Sequence, residues 1–170
     1  MNFVDTDLQK KNNKLDMRVD MDDSVFQRIL DMISNSELYK KDFFTLSFQH
    51  NIYHIQRVML FSQIIAQNEG ISEKNSTLLL LAAALHDSGK TKDRKDFDHG
   101  KESAKIAKEY LQNNIDNISE EDVKIIQIAI EYHTIKEKDK INVPELKNLC
   151  QKYNVSIANL ERIEIISSIL

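Results

Sequence analysis

The pair of residues in this chain best suited to chemistry is His86-Asp87. It directly follows Leu78-Leu79-Leu80-Leu81-Ala82-Ala83-Ala84-Leu85, a run that is apolar on every side of a helix. An ionised carboxylate set against such a core is costly unless it is paired. A divalent cation would satisfy both side chains at once. Imidazole nitrogen with carboxylate oxygen suits iron, manganese, zinc, cobalt or nickel and does not choose among them. All five histidines fall between positions 50 and 133, and His54, His86, His99 and His133 sit beside helix ends or on polar–apolar borders. The basic cluster Lys90-Thr91-Lys92-Asp93-Arg94-Lys95, just past the pair, offers contacts for phosphate.

Helices must hold these residues. One Pro and three Gly in 170 residues leave little material for turns, which favours long helices over many short strands. Val25, Phe26, Ile29, Leu30 and Ile33 stand at helical spacing from Asp22. Phe43, Phe44 and Leu46 then lead into a helix from about Thr45 to Asn68. Its buried face is Ile55, Val58, Met59, Ser62, Ile65 and Ala66, and Gly70 closes it. Ser72 or Asn75 opens the Leu/Ala-rich helix that ends at His86-Asp87. A charged loop runs to Phe97. Asp98 is read as the N-cap of a helix from His99 to Leu111. Ser119 with Asp122 resembles a capping box for a helix that carries Val123, Ile126 and Ile130 and ends near His133. Residues 136–143 form a second charged loop, Pro144 starts a short helix, and Ser156 starts the last one, with Leu160, Ile163 and Ile166 apolar. The expectation is an all-α bundle over residues 21–170 behind a flexible N-terminal arm, residues 1–20.

Two segments taken together resemble the HD superfamily of metal-dependent phosphohydrolases. They are His54-Ile55-Gln56-Arg57-Val58 and Leu81-Ala82-Ala83-Ala84-Leu85-His86-Asp87-Ser88-Gly89-Lys90. The resemblance implies an HD-type helical bundle, with His54, His86 and Asp87 as metal ligands and Lys90 at the active site beside Asp87. Asp98-His99-Gly100 and Tyr132-His133 resemble positions that hold a second ion, so His99 and His133 join the expected ligands. That site is incomplete by the pattern, because Thr134 stands where two-metal members carry a second histidine. His50, one helical turn before His54, is expected to stay off the metal. The family's last ligand is an Asp on the final helix. Here Glu161 to Leu170 resembles the apolar run before it, no Asp follows Asp139, and Glu164 would serve only if the helix were shifted by about two turns. The expectation is a domain cut short of one carboxylate.

The implied reaction is hydrolysis of a phosphate mono- or diester using one or two divalent transition-metal ions, with a small phosphorylated substrate, by resemblance a nucleotide. Nucleoside monophosphates, cyclic dinucleotides and alarmone-like pyrophosphates all remain open. The Gly-Tyr-Pro element of cyclic-dinucleotide members is absent. The alternative is an HD-type module that binds a nucleotide without cleaving it, and a purely structural helical adaptor ranks last. Each residue also has a plainer reading: His54 as a satisfied core histidine, His99 as a solvated helix start, His133 as a partner for a helix dipole, and Lys90 as a loop cation. A formal charge of −4 argues against general nucleic-acid binding. One cysteine, Cys150, no signal peptide and no apolar run long enough for a bilayer point to the cytoplasm.

Overall fold

The computed structural model describes residues 15–16, 23–41, 44, 47, 49–91, 98–135 and 141–170. The fold is an all-α bundle. Helix α1 (Asp23–Ser34) buries Val25, Ile29 and Ile33. A 3-10 turn, Glu37–Tyr39, follows. Helix α2 is Ile52–Asn68 and α3 is Glu73–Leu85. Helices α4 (His99–Asn114), α5 (Glu120–Tyr132), α6 (Val143–Tyr153) and α7 (Leu160–Ile169) complete it. Strand β1 (Leu15–Asp16) pairs in parallel with β2 (Ile115–Asp116), two residues each.

Helix α3 is the axis of the bundle, as an all-round apolar helix must be. Every residue from Thr77 to Leu85 is buried, and α1, α2, α4, α5 and α7 all pack on it. Each fully buried leucine there is worth about 1.5–3 kcal/mol of transfer free energy. The position of its C-terminus therefore follows from the core, and the residues just past it have little freedom to wander.

Several boundaries differ from the sequence reading. Helix α2 starts at Ile52, not near Thr45: Asn51 takes the N-cap and its side chain accepts from the His54 N–H at 3.2 Å. Gly70 does sit past the other end, at φ +63°, with Gly70 N–H donating to Gln67 O and Ile71 N–H to Ala66 O. Ile65 is 38% exposed, outside the buried face assigned to it. Asp98 precedes α4 with helical backbone angles and no side-chain cap bond; its carboxylate lies 3.6 Å from Lys101 Nζ instead. Ser119 does cap α5 through Asp122 N–H. The Asp122 carboxylate goes to Lys74 and Arg162, clamping α5 to α3 and α7. Pro144 lies in the first turn of α6, behind the Asn142 cap.

Of the expected arm, Leu15 and Asp16 form β1, with Leu15 buried; residues 1–14 and 17–20 lie outside the described residues. So do Phe43, Leu46, the charged loop at 92–97 and most of the one at 136–143. No helix among the described residues is long and apolar enough to cross a membrane.

Candidate metal centre

The end of α3 is built by assigning its unpaired carbonyls. The last carbonyls of a helix have no partner inside it. Here Ala83 O accepts from His86 Nδ1 at 2.8 Å, Ala84 O accepts from the Tyr39 hydroxyl at 2.6 Å, and Leu85 O accepts from Ser88 N–H at 3.1 Å. Tyr39 is itself held edge-on by Phe44. A carbonyl can only accept, so His86 carries its proton on Nδ1 and turns Nε2 outward. His133, past the end of α5, does the same with Ile130 O. Both helix ends thus fix a tautomer that leaves Nε2 ready to ligate.

Asp87 is the point on which the histidines converge, and its two oxygens divide them. Oδ2 lies 2.8 Å from His50 Nδ1, 3.4 Å from His86 Nε2 and 3.5 Å from His54 Nε2. Oδ1 lies 3.2 Å from His99 Nε2 and 3.8 Å from His133 Nε2. Two three-residue sets have ligand atoms close enough for one ion: His50, His54 and Asp87, and Asp87, His99 and His133. His86 stands outside both sets and joins them through Oδ2. Asp87 is buried, and so are His86 and His99.

The donor set is short of cations. His99 Nε2 and His133 Nε2 face each other at 3.1 Å. With the His133 proton committed to Ile130, a single proton on His99 Nε2 must choose between His133 and Asp87 Oδ1. A divalent ion would satisfy all three, so the residues fit the group.

Burial lowers the proton affinity of His54 and His133, each to a pKa of about 4, with the neighbouring His86 adding to the effect. Burial acts against the charged form of His86 too, but Asp87 outweighs it and the pKa of His86 rises. Burial would raise the pKa of Asp87; the charge of His86 and the imidazoles of His133, His86 and His99 around the carboxylate reverse this and hold it far below the carboxylate range. The stability of the metal-free protein should follow. Between about pH 6.5 and 4 the unfolded chain takes up protons on His54 and His133 that the folded chain refuses, so acidification through that window removes stability. His86, whose pKa is raised, contributes stability that is lost as pH rises, and Asp87, held low, contributes stability that is lost only as pH falls below the ordinary carboxylate range. Thermal melts in chelator should show Tm falling from pH 6.5 to 4.5; a flat profile contradicts the burial of these two rings.

Two close approaches bring the α4 histidine to this point. Gly89 N–H donates to Ser103 Oγ at 2.9 Å, and a Cβ on Gly89 would meet Ser103 N at 2.5 Å. A Cβ on Gly100 would meet Thr134 Oγ1, also at 2.5 Å. Gln127 Nε2 donates to Ala104 O across α4 and α5.

All five residues expected at the site, His54, His86, Asp87, His99 and His133, are therefore brought together around one carboxylate, and Lys90 is buried beside it with its N–H on Asp87 O. His50 corrects the sequence reading. It lies ahead of the Asn51 cap, not on the face of α2, and from there its Nδ1–H donates to Asp87. Tyr39 and Ser103 were missed. His99, at the start of the helix expected after Asp98, was the one signal that pointed towards α4.

Residues 51–163, more than half of the chain, match the family model described as HD domain. No curated protein and no solved structure matches the chain.

Proposed function

Because the chain belongs to the HD superfamily of metal-dependent phosphohydrolases, we propose that it hydrolyses a phosphate ester at the Asp87 centre. The observation that carries this reading is the division of the histidines between the two oxygens of Asp87. A carboxylate so placed suits two cations. His54 and His86, with His50 beside them, would serve one; His99 and His133 would serve the other; Asp87 would be common to both. The metal is a divalent transition ion, and the donor set accepts iron, manganese, zinc, cobalt or nickel. When bound, such a cation acidifies water towards neutral pH and offsets charge on phosphate oxygens.

The protein residues do the positioning. The Ala83 and Ile130 carbonyls hold the His86 and His133 rings in one tautomer. Lys90 is buried and makes no ion pair among the described residues. Its charge already opposes that of His86. A phosphate oxygen entering the centre would be its counter-charge. Family resemblance supports a small phosphorylated substrate of the nucleotide class, and a lone buried Cys150 suits a cytoplasmic setting.

The test is phosphate release by the metal-loaded chain from nucleoside monophosphates, cyclic dinucleotides and nucleoside pyrophosphates, beside Lys90→Met. Turnover of one class, reduced about 10²–10³-fold in Lys90→Met, is the expected result. Metal uptake with nucleotide binding and no turnover of any class would replace it with the binding-module reading.

A further inference from the structure

Helix α2 turns Ile55, Met59, Ser62 and Ala66 to the core. Its opposite side is not polar. Tyr53, Leu60, Phe61, Ile64 and Ile65 are 65%, 48%, 60%, 43% and 38% exposed. Single exposed apolar residues are ordinary, and the others among the described residues, Ile135 and Ile157, are of that kind. Five on one helix form a patch. Tyr53, Arg57, Leu60 and Ile64 follow one another at intervals of four, three and four residues, the spacing of a seam that packs along another helix.

The geometry points to a second copy of this chain as the occupant of that seam, with the two α2 helices packed antiparallel about a two-fold axis. The charges on α2 select both the partner and the direction. Arg57 is exposed within the seam and makes no ion pair among the described residues. The last turn of α2 carries no basic residue, and Glu69 follows it. That end therefore presents negative potential with no basic side chain of its own to offset it. In an antiparallel pair with Leu60 near the partner's Ile64, Arg57 of each copy lies over the last turn of the other, and the contact is made twice. A parallel pair would set Arg57 against its own copy. A charged residue in an otherwise apolar seam fixes register, and here the end contact made twice outweighs what its burial costs. The stripe exposes roughly 500 Å² per copy, below the roughly 800 Å² per partner of a standard interface. A reversible dimer with a dissociation constant in the micromolar range is what such a seam supports. This inference does not depend on what the Asp87 centre binds.

Sedimentation velocity from about 1 to 200 µM tests it on the full chain, with Leu60→Glu/Ile64→Glu and Arg57→Gln alongside. The wild-type chain should shift from monomer to dimer. The double variant should stay monomeric with unchanged circular dichroism and metal content. Arg57→Gln should weaken the dimer several-fold, because it removes the favourable end contact. A wild-type chain monomeric throughout overturns the proposal and leaves the face to a different protein or a lipid surface. A dimer that survives the double substitution overturns it by placing the interface elsewhere. Unchanged or tighter association in Arg57→Gln overturns the antiparallel arrangement, since only a parallel pair gains from losing that charge.

Discussion

Asp87→Ala is expected to leave the chain folded and without bound metal. Asp87 is the one side chain common to both ligand sets, so its loss cannot be confined to one ion. The remaining donors would be neutral rings, and His54 and His133 refuse protons down to a pKa of about 4. Five imidazoles without a carboxylate offer no charge to offset that of a divalent cation. Elemental analysis should fall from one or two ions per chain to none, and phosphate release should drop by at least about 10³-fold. The bundle should survive, because the carbonyls at the end of α3 are satisfied by Tyr39, Ser88 and the His86 ring, not by Asp87. Asp87→Asn is the sharper companion. It keeps the volume and one acceptor oxygen but replaces the other oxygen with an amide nitrogen, which has no lone pair to give. If the division of histidines between Oδ1 and Oδ2 matters, Asn should fail almost as completely as Ala. Retention of full metal content in either variant would remove Asp87 from the centre.

The axis of this fold is legible in sequence because one rule governs it. Leu78 to Leu85 is apolar all round, Ser72 precedes it and Gly70 stands before that, so the run has to be a buried helix ending at His86-Asp87. His54 and His133 follow for a similar reason, being polar residues at the borders of patterned helices. His50 does not. Apolar residues at 43, 44 and 46 continue a helical pattern upstream of α2, and nothing in that pattern reveals that Asn51 accepts from His54 N–H and starts the helix there. The misplaced start puts His50 on a helix face, whereas the cap frees it to reach Asp87. Ile65 was misplaced by the opposite weakness: helical spacing gives the direction of a stripe better than its width. Tyr39 is 45 residues from the carbonyl it serves, and no local signal joins them. Asp98 was read as a cap from its residue type, but its backbone is already helical, and a cap needs an extended residue whose side chain can turn back to the first N–H groups. What the sequence conveys well here is burial; what it conveys poorly is which end of a helix meets which.

That last kind of information resides in Gly89, and alanine there should be among the most damaging small changes in the protein. The backbone of Gly89 does not need a glycine for its angles; the space does. An added Cβ would lie 2.5 Å from Ser103 N and 2.8 Å from Glu102 C and from Glu102 Cβ. The first two are backbone atoms of α4 and cannot rotate aside, so α4 has to retreat from the turn after α3. His99 lies one turn upstream of Ser103 on α4 and would be carried away from Asp87 Oδ1, which it now approaches to 3.2 Å. The Gly89 N–H bond to Ser103 Oγ would stretch as well. Overpacking of this kind costs about 1–3 kcal/mol, or roughly 3–10 °C in Tm for a chain of this size. The affinity for metal should fall about 10–100-fold, as it does when the support of a ligand is disturbed. The loss should be one-sided, because His54 comes from α2 and His50 from just ahead of its cap, not from α4. Ser103→Ala provides the control: it removes the hydrogen bond without filling the space, and should cost about 0.5–1.5 kcal/mol while His99 stays in place. Calorimetry with metal titration separates the two. If Gly89→Ala binds metal with the stoichiometry and affinity of the wild type, close approach of α4 is not what assembles the second set, and the placement of His99 must come from Gly100 against Thr134 instead.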